Sequence, residues 1–498
     1  MIISTLILLF ILMVLLCLYM SRNYTYWKKK GVPFLKPIPL FGNFLDVFLW
    51  RKSIGDKLRE MYENTVHPYI GFFILDEPIL MINDLNLIEH IFIKDFTNFK
   101  DRVPVIDPNI DSLGNKMLFF QKSQSWFTGR KRLSPSFTLA KMRSKFERMK
   151  SCTKSMENWM RKSSKSHENI FEVKTLFAKF TVDVLSTSFY SIETNSFEQE
   201  DSPFVELTRS IANWQNIWHA IQVTYLFLAP HFTRILKLKI INEANTVFFR
   251  NLAWDLMNER EKLNIKMNDL VDTLLDTKKN ENIQNKYSEE ADLLAGLVVT
   301  AFVASFETTS TTMTFALYEL AKNPEAQQLA REEILRIKNR DGDITYANLN
   351  QLKYLQGCIH EAMRLYPVLP FLDRTCTETY KLPGTDVILE KGQKVYFPVM
   401  GLHYDSKYYP NPTKFNPERY EDEEVQERFN ICFLPFGLGP RACPGKTFAQ
   451  ITMKICIANI LTNFKVELSK KHQEPLKINR IGFMMQPDSG VFLKFIEI

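Results

Sequence analysis

Cys443 stands in the run Phe436-Gly437-Leu438-Gly439-Pro440-Arg441-Ala442-Cys443-Pro444-Gly445, a pattern of the form F-x-x-G-x-R-x-C-x-G. A lone cysteine in a Gly/Pro-rich loop, with an arginine two residues earlier, can deliver a thiolate to a metal while the arginine neutralises an adjacent anion. Downstream, Phe448, Ile451, Ile455 and Ala458 recur at helical spacing. Pro444 is then expected as the first helical residue, where its missing N–H costs nothing, and the helix N-terminus would favour the thiolate. The plainer reading is a small buried cysteine in a tight turn.

Other residues carry potential chemistry. Ala304-Ser305-Phe306-Glu307-Thr308-Thr309 falls in a helix predicted from the N-cap Ser288 to about Lys322, where Asn323-Pro324 stops it. Leu293 to Phe306 is uncharged, and a stretch of that length reads as a buried core helix rather than a membrane span. A mid-helix threonine can bond back to the carbonyl four residues earlier and bend the helix, although an ordinary core hydroxyl is the simpler alternative. Glu361 and Arg364 share a face of a helix predicted from Leu352 to Tyr366 and ended by Pro367. On a solvated surface such a pair contributes well under ~1 kcal/mol. Trp126 and Arg130, in W-x-x-x-R, lie one helical turn apart.

The elements that must position these residues are mostly helical. Strand-like runs occur at Tyr69–Phe73, Pro78–Ile82, Lys394–Pro398 and Gly490–Phe495, and the polar stretch Asp276–Ser288 reads as an exposed connector. The predicted class is mainly α with small β-sheets. The chain has 498 residues, 45% hydrophobic, with 39 phenylalanines, enough for a roomy apolar interior. Its seven cysteines are dispersed and form no CxxC pair, which argues against zinc ribbons and for a reduced, cytosol-facing protein. No HExxH, Walker A or GxSxG run is present. A net charge of +7 suits an acidic partner or anionic membrane surface, not nucleic acid.

Residues 1–21 read as a transmembrane anchor, being almost wholly apolar until Arg22, Lys28, Lys29 and Lys30 mark the cytoplasmic side. A cleaved signal peptide fits less well, because there is no basic n-region and no small-residue cleavage site. Residues 22–45 read as a basic, proline-rich hinge, and residues 46–498 as the main domain.

The run around Cys443 resembles the haem-binding loop of the cytochrome P-450 superfamily at every fixed position, and the other motifs follow in that superfamily's order. The resemblance implies the cytochrome P-450 fold, with a long central helix over haem b, behind an N-terminal transmembrane helix. It makes Cys443 the axial ligand of the iron, with Phe436, Gly445 and Ala304 against the haem. Trp126, Arg130, Arg374 and Arg441 become propionate ligands. Thr308 becomes the oxygen-side hydroxyl and Glu307 the proton-relay acid, while Ser305 departs from the superfamily's usual glycine. Pro417-Glu418-Arg419-Tyr420 resembles the PERF segment, so Glu361, Arg364 and Arg419 are expected to form a buried ionic cluster of structural rather than catalytic importance. Segments around Glu361 and from Tyr380 to Tyr420 look most like the clan holding vertebrate family three and insect families six and nine.

A microsomal member of this superfamily inserts one atom of O2 into a hydrophobic small molecule, such as a plant toxin, insecticide or hormone. Its electrons come from NADPH through cytochrome P-450 reductase, with cytochrome b5 as a further partner, at the endoplasmic reticulum membrane with the catalytic domain facing the cytoplasm. The alternatives are a haem-thiolate isomerase or dehydratase needing no outside electrons, and a non-catalytic haem sensor. Ala304, Ala301 and Thr300 share the face of Thr308 and leave room beside it. By resemblance Phe119, Phe120, Val368, Leu369, Phe371, Met484 and Met485 are further pocket candidates, about a third of this set being expected to serve the core instead. None is charged, which favours neutral lipophiles.

Overall fold

The computed structural model describes residues 2–199, 202–211, 217–230, 233–421 and 431–498. At its centre a helix of 34 residues runs from Glu289 to Lys322. The Ser288 hydroxyl caps it by accepting the Ala291 N–H at 3.1 Å, and Glu289, Glu290 and Asp292 complement the dipole in its first turn. It is apolar nearly all round, so it must be surrounded. The helices Val173–Leu185, Glu243–Leu263, Lys353–Leu365 and Lys446–Asn463 pack against it. Two polar ties fix its register: the Tyr190 hydroxyl donates to the Val298 carbonyl at 2.8 Å, and Arg250 forms a bidentate pair with Asp292 at 2.7 and 3.0 Å.

The strands join distant parts of the chain. β1 (Tyr69–Ile74), β2 (Glu77–Ile82), β4 (Leu372–Thr375) and β7 (Lys394–Phe397) form one sheet in the order β1-β2-β7-β4. β2 and β7 are parallel, with Leu80 opposite Val395, and the other pairs are antiparallel. A second sheet has the order β3-β9-β8, from Ile170–Glu172, Phe492–Glu497 and Phe464–Leu468. Tyr380–Lys381 and Ile388–Leu389, β5 and β6, make a small hairpin.

Three boundaries differ by two residues or more from the predicted ones, the C-terminal strand running Phe492–Glu497 rather than Gly490–Phe495. The first residues of the expected connector belong to a helix, Leu270–Asn280. Its apolar face ends at Leu275, and the polar turn that follows is held by Lys278, whose Nζ bonds Asn258 and Glu261, both at 2.9 Å. The helix after Cys443 starts at Lys446 rather than Pro444, with Gly445 as its cap residue. Pro444 and Gly445 form a turn instead, leaving Cys443 in a loop.

The helix Ile2–Met20 has no buried residue, as an element solvated by lipid requires. The proline-rich segment behind it is folded onto the sheet edge. Trp27 is fully buried and its indole N–H donates to the Phe72 carbonyl at 3.2 Å; an added Cβ on Gly71 would collide with that ring. Gly71 donates to the Pro33 carbonyl at 2.7 Å, and Leu35 donates to the Gly71 carbonyl at 2.9 Å. Because these contacts begin after Met20, deletion of residues 1–21 is expected to leave a folded domain that partitions less into membranes. Flotation and the thermal unfolding midpoint measure this; loss of folding would make the segment part of the fold.

Candidate active site

A cavity of about 320 Å³ lies beside the central helix, and Cys443 opens into it. Ala301, Ala304, Ser305 and Thr308 form one wall, as their helical spacing requires. Phe119 and Phe120 from the segment before Trp126, Val368 and Leu369 after the Lys353–Leu365 helix, and Met484 also line it. Thr300 lines it too, but its hydroxyl is engaged: it donates to the Gly296 carbonyl at 2.7 Å and accepts the Leu118 N–H at 2.9 Å. Phe371 and Met485 are not among the lining residues. Phe371 stacks on Tyr396 with ring centroids 5.3 Å apart, and Met485 packs with Phe315 and Met400. Phe227 and Phe483, stacked at 4.2 Å, and His219 line the cavity without having been singled out in the sequence.

The Cys443 loop is held by backbone. Cys443 N–H donates to the Phe436 carbonyl at 2.8 Å and Ala442 N–H to Gly439 at 2.9 Å. Gly439 has φ +70°, and an added Cβ there would collide with the Phe92 carbonyl. Phe436 and Gly445 line the cavity beside the sulfur. Cys443 is exposed to the cavity, but the protein packed around it keeps bulk water away and pushes its thiol above the ordinary pKa, against the Gly445 N–H and the Arg130, Arg102 and Lys446 charges, which favour the thiolate. A metal cation at the sulfur would tip that balance to the thiolate.

Next to it lies a cluster of buried cations. Arg102, Arg374 and Arg441 are each at most 9% exposed, and burial lowers all three; repulsion from neighbouring arginines lowers Arg374 and Arg441 further, Arg441 to about 9. Their counter-charges are partial: Asp373 is 3.4 Å from Arg102, and Asp101 is 3.7 Å from Arg441. Among the described residues, the Nε atoms of Arg374 and Arg441 are buried without a hydrogen-bond partner. Trp126 lies under the Arg441 guanidinium at 4.3 Å, and Arg130 donates to the Ala442 carbonyl at 2.9 Å. Lys122 donates to the Arg102 carbonyl, with its own pKa lowered by burial to about 8. Arg102, Arg130 and Arg441 line the apolar cavity, Arg441 with an orphaned donor, while Arg374 is not among its lining residues; with a sulfur at the cavity's edge this set fits a flat dianionic metallo-tetrapyrrole. Arg102, Lys122 and Asp373 carry no motif; only the fold brings them here.

On the central helix the Thr308 hydroxyl donates to the Ala304 carbonyl at 2.6 Å, the back-bond expected of a mid-helix threonine. The Glu307 carboxylate is paired with Lys174, Nζ to Oε1 2.9 Å; the same ammonium donates to Ser310 at 2.8 Å and Thr311 at 2.7 Å. Lys174 was invisible as a partner in the sequence, 133 residues away.

Glu361, Arg364 and Arg419 come together. Arg364 makes a bidentate pair with Glu361, both contacts 2.8 Å, and Arg419 Nε reaches Glu361 at 3.1 Å. The Glu361 and Arg364 side chains are fully buried. Arg364 also donates to the His403 carbonyl at 2.8 Å, and His403 Nε2 accepts the Leu434 N–H at 3.1 Å, linking the cluster to the approach of the Cys443 loop.

The fold and the cavity with Cys443 at its edge fit a haem-thiolate protein. The cytochrome P450 family model matches residues 32–494. The chain is 34% identical to cytochrome P450 6k1 of Blattella germanica over 99% of this chain and 97% of that protein. It is 31% identical to the probable cytochrome P450 6g2 of Drosophila melanogaster, covering 96% of each, and 31% identical to cytochrome P450 9e2 of Blattella germanica, over 95% and 94%. The chain belongs to the cytochrome P450 family and is a P450 monooxygenase.

Proposed function

We propose that the protein hydroxylates or epoxidises neutral lipophilic compounds, xenobiotics or endogenous hormones, with O2 and electrons from NADPH through cytochrome P-450 reductase. The observation that carries this is a largely apolar cavity with the Cys443 sulfur and the Thr308 hydroxyl on its walls. Haem b is the group we assign to it. Cys443 would ligate the iron; Arg102, Arg130, Arg374, Arg441 and Trp126 would hold the carboxylates. When bound, the group supplies reductive activation of O2, made easier by thiolate donation.

The residues around it handle binding and protons. The aromatic and aliphatic walls exclude water and favour neutral ligands. The Thr308 oxygen, having spent its own proton on Ala304, retains acceptor capacity toward the cavity. Glu307 can pass a proton inward only by leaving Lys174, so that pair sets when the acid is available. The exposed apolar helix followed by basic residues supports anchoring at the endoplasmic reticulum with the catalytic domain toward the cytoplasm, where reductase and cytochrome b5 are reached.

Two measurements test the reading. Spectral titration should show neutral terpenoids or insecticides shifting the haem spectrum at lower concentration than short fatty acids; the reverse order would exclude the neutral-lipophile assignment. Thr308→Ala should retain haem while product per NADPH falls by about 10²-fold, the low end for a positioned proton-transfer group, with hydrogen peroxide appearing instead. Unchanged coupling would remove Thr308 from the proton path.

A further inference from the structure

Asp111 is a buried acid with no part in the chemistry above. It is 2% exposed; burial raises its pKa, and three backbone N–H groups oppose that by favouring the carboxylate. Oδ1 accepts from Gly114 at 2.7 Å; Oδ2 accepts from Ile240 at 2.8 Å and Ile241 at 2.9 Å. Gly114 leads directly into Met117–Phe120, one wall of the cavity, while Ile240 itself lines another. One carboxylate therefore clasps two walls that come from segments 129 residues apart. Each wall is tied separately to the central helix, the first through Leu118 N–H to Thr300. The second leads into the Glu243–Leu263 helix, which is held through Arg250 to Asp292. The backbone is shaped for the clasp, since an added Cβ on Gly114 would collide with the Asp111 carboxylate.

We infer that Asp111 is a positioning residue that sets the separation of these two walls and thereby governs the passage of bulky ligands to the cavity. The chemistry is specific to a carboxylate. An asparagine must turn its NH2 either toward Gly114 N–H or toward the N–H groups of Ile240 and Ile241, setting donor against donor. One charge-assisted contact is lost in the first case and two in the second, and each corresponds to about a ten-fold change or more in an equilibrium or rate. The inference rests on the haem-thiolate reading for its ligand readout but not for the clasp itself.

The test uses full-length, haem-loaded Asp111→Asn, with Gly114→Ala as a second variant that displaces the carboxylate without removing its charge. Imidazole is the small probe and clotrimazole the bulky one; both bind iron through a ring nitrogen and shift the Soret band. Clotrimazole association and dissociation are expected to speed up about ten-fold while imidazole rates stay unchanged, and amide deuterium exchange at residues 114, 240 and 241 should accelerate. Unchanged clotrimazole rates, or equal acceleration for both probes, would overturn the inference. If neither azole shifts the wild-type spectrum, the haem reading fails instead. Exchange then decides the clasp: faster amides support it, unchanged ones overturn it. Should Asp111→Asn not fold, Gly114→Ala alone carries the same expectations.

Discussion

Cys443→Ser is expected to abolish the absorbance band of the thiolate-bound, reduced, carbon-monoxide complex, and NADPH-dependent product formation with it. A serine hydroxyl ionises far less readily than a thiol and is a harder, weaker donor to iron. The loop would retain its shape, because the Cys443 N–H bond to Phe436 and the turn at Gly439 involve backbone alone. The variant should therefore unfold near the wild-type temperature while its spectrum changes completely. Spectroscopy of the reduced protein under carbon monoxide checks this, with circular dichroism as the folding control. Survival of the thiolate band in a folded variant would show that another residue ligates the iron. The other cysteines within the domain are poor substitutes: Cys152, Cys358, Cys376, Cys432 and Cys456 are all buried in packing.

Glu361→Ala is expected to destabilise the protein by about 3–5 kcal/mol, the usual cost of removing one member of a buried ionic group. The substitution leaves Arg364 and Arg419 without their shared carboxylate, Arg364 in a site with no exposure at all. It also strips an acceptor from Asn416 N–H at 3.1 Å and from the Tyr420 hydroxyl at 3.4 Å. Glu361→Gln keeps the shape and one acceptor set but not the charge, so it should fall between wild type and alanine. Since Arg364 leads through His403 to Leu434, haem retention should decline along with stability. Denaturant unfolding and haem content measure the two effects. A loss below about 1 kcal/mol would mean that the cluster behaves like a surface pair.

Local chemistry explains how much was readable in advance. The central helix was legible because its cap, its acidic first turn, its long uncharged run and its Asn-Pro stop are all written in one contiguous stretch, Ser288 to Pro324, and the observed Glu289–Lys322 agrees. The same holds for Lys353–Leu365 and for the strands near residue 70, whose periodicity and breakers are local. The start of the helix after Cys443 was not legible, because Pro444 suits both a first helical position and a turn, and the close approach of Gly439 to Phe92 is a tertiary constraint.

The site divides along the same line. The Cys443 loop and the Glu307–Thr308 pair lie in contiguous motifs, so it was their resemblance to the superfamily's pattern that pointed to Cys443, Glu307 and Thr308. The charges around them depend on neighbours in space. Arg102 and Asp373 meet across 271 residues, Lys174 reaches Glu307 across 133, and Asp111 joins two loops across 129. No periodicity records such pairs, because a buried charge is stabilised by whatever the fold places within about 3 Å of it, not by its position along the chain. Phe371 and Met485 show the converse: both sit beside lining residues in sequence, yet Phe371, just ahead of β4, stacks on Tyr396, and Met485, its N–H bonded to the Val368 carbonyl at 2.9 Å, packs with Phe315 and Met400.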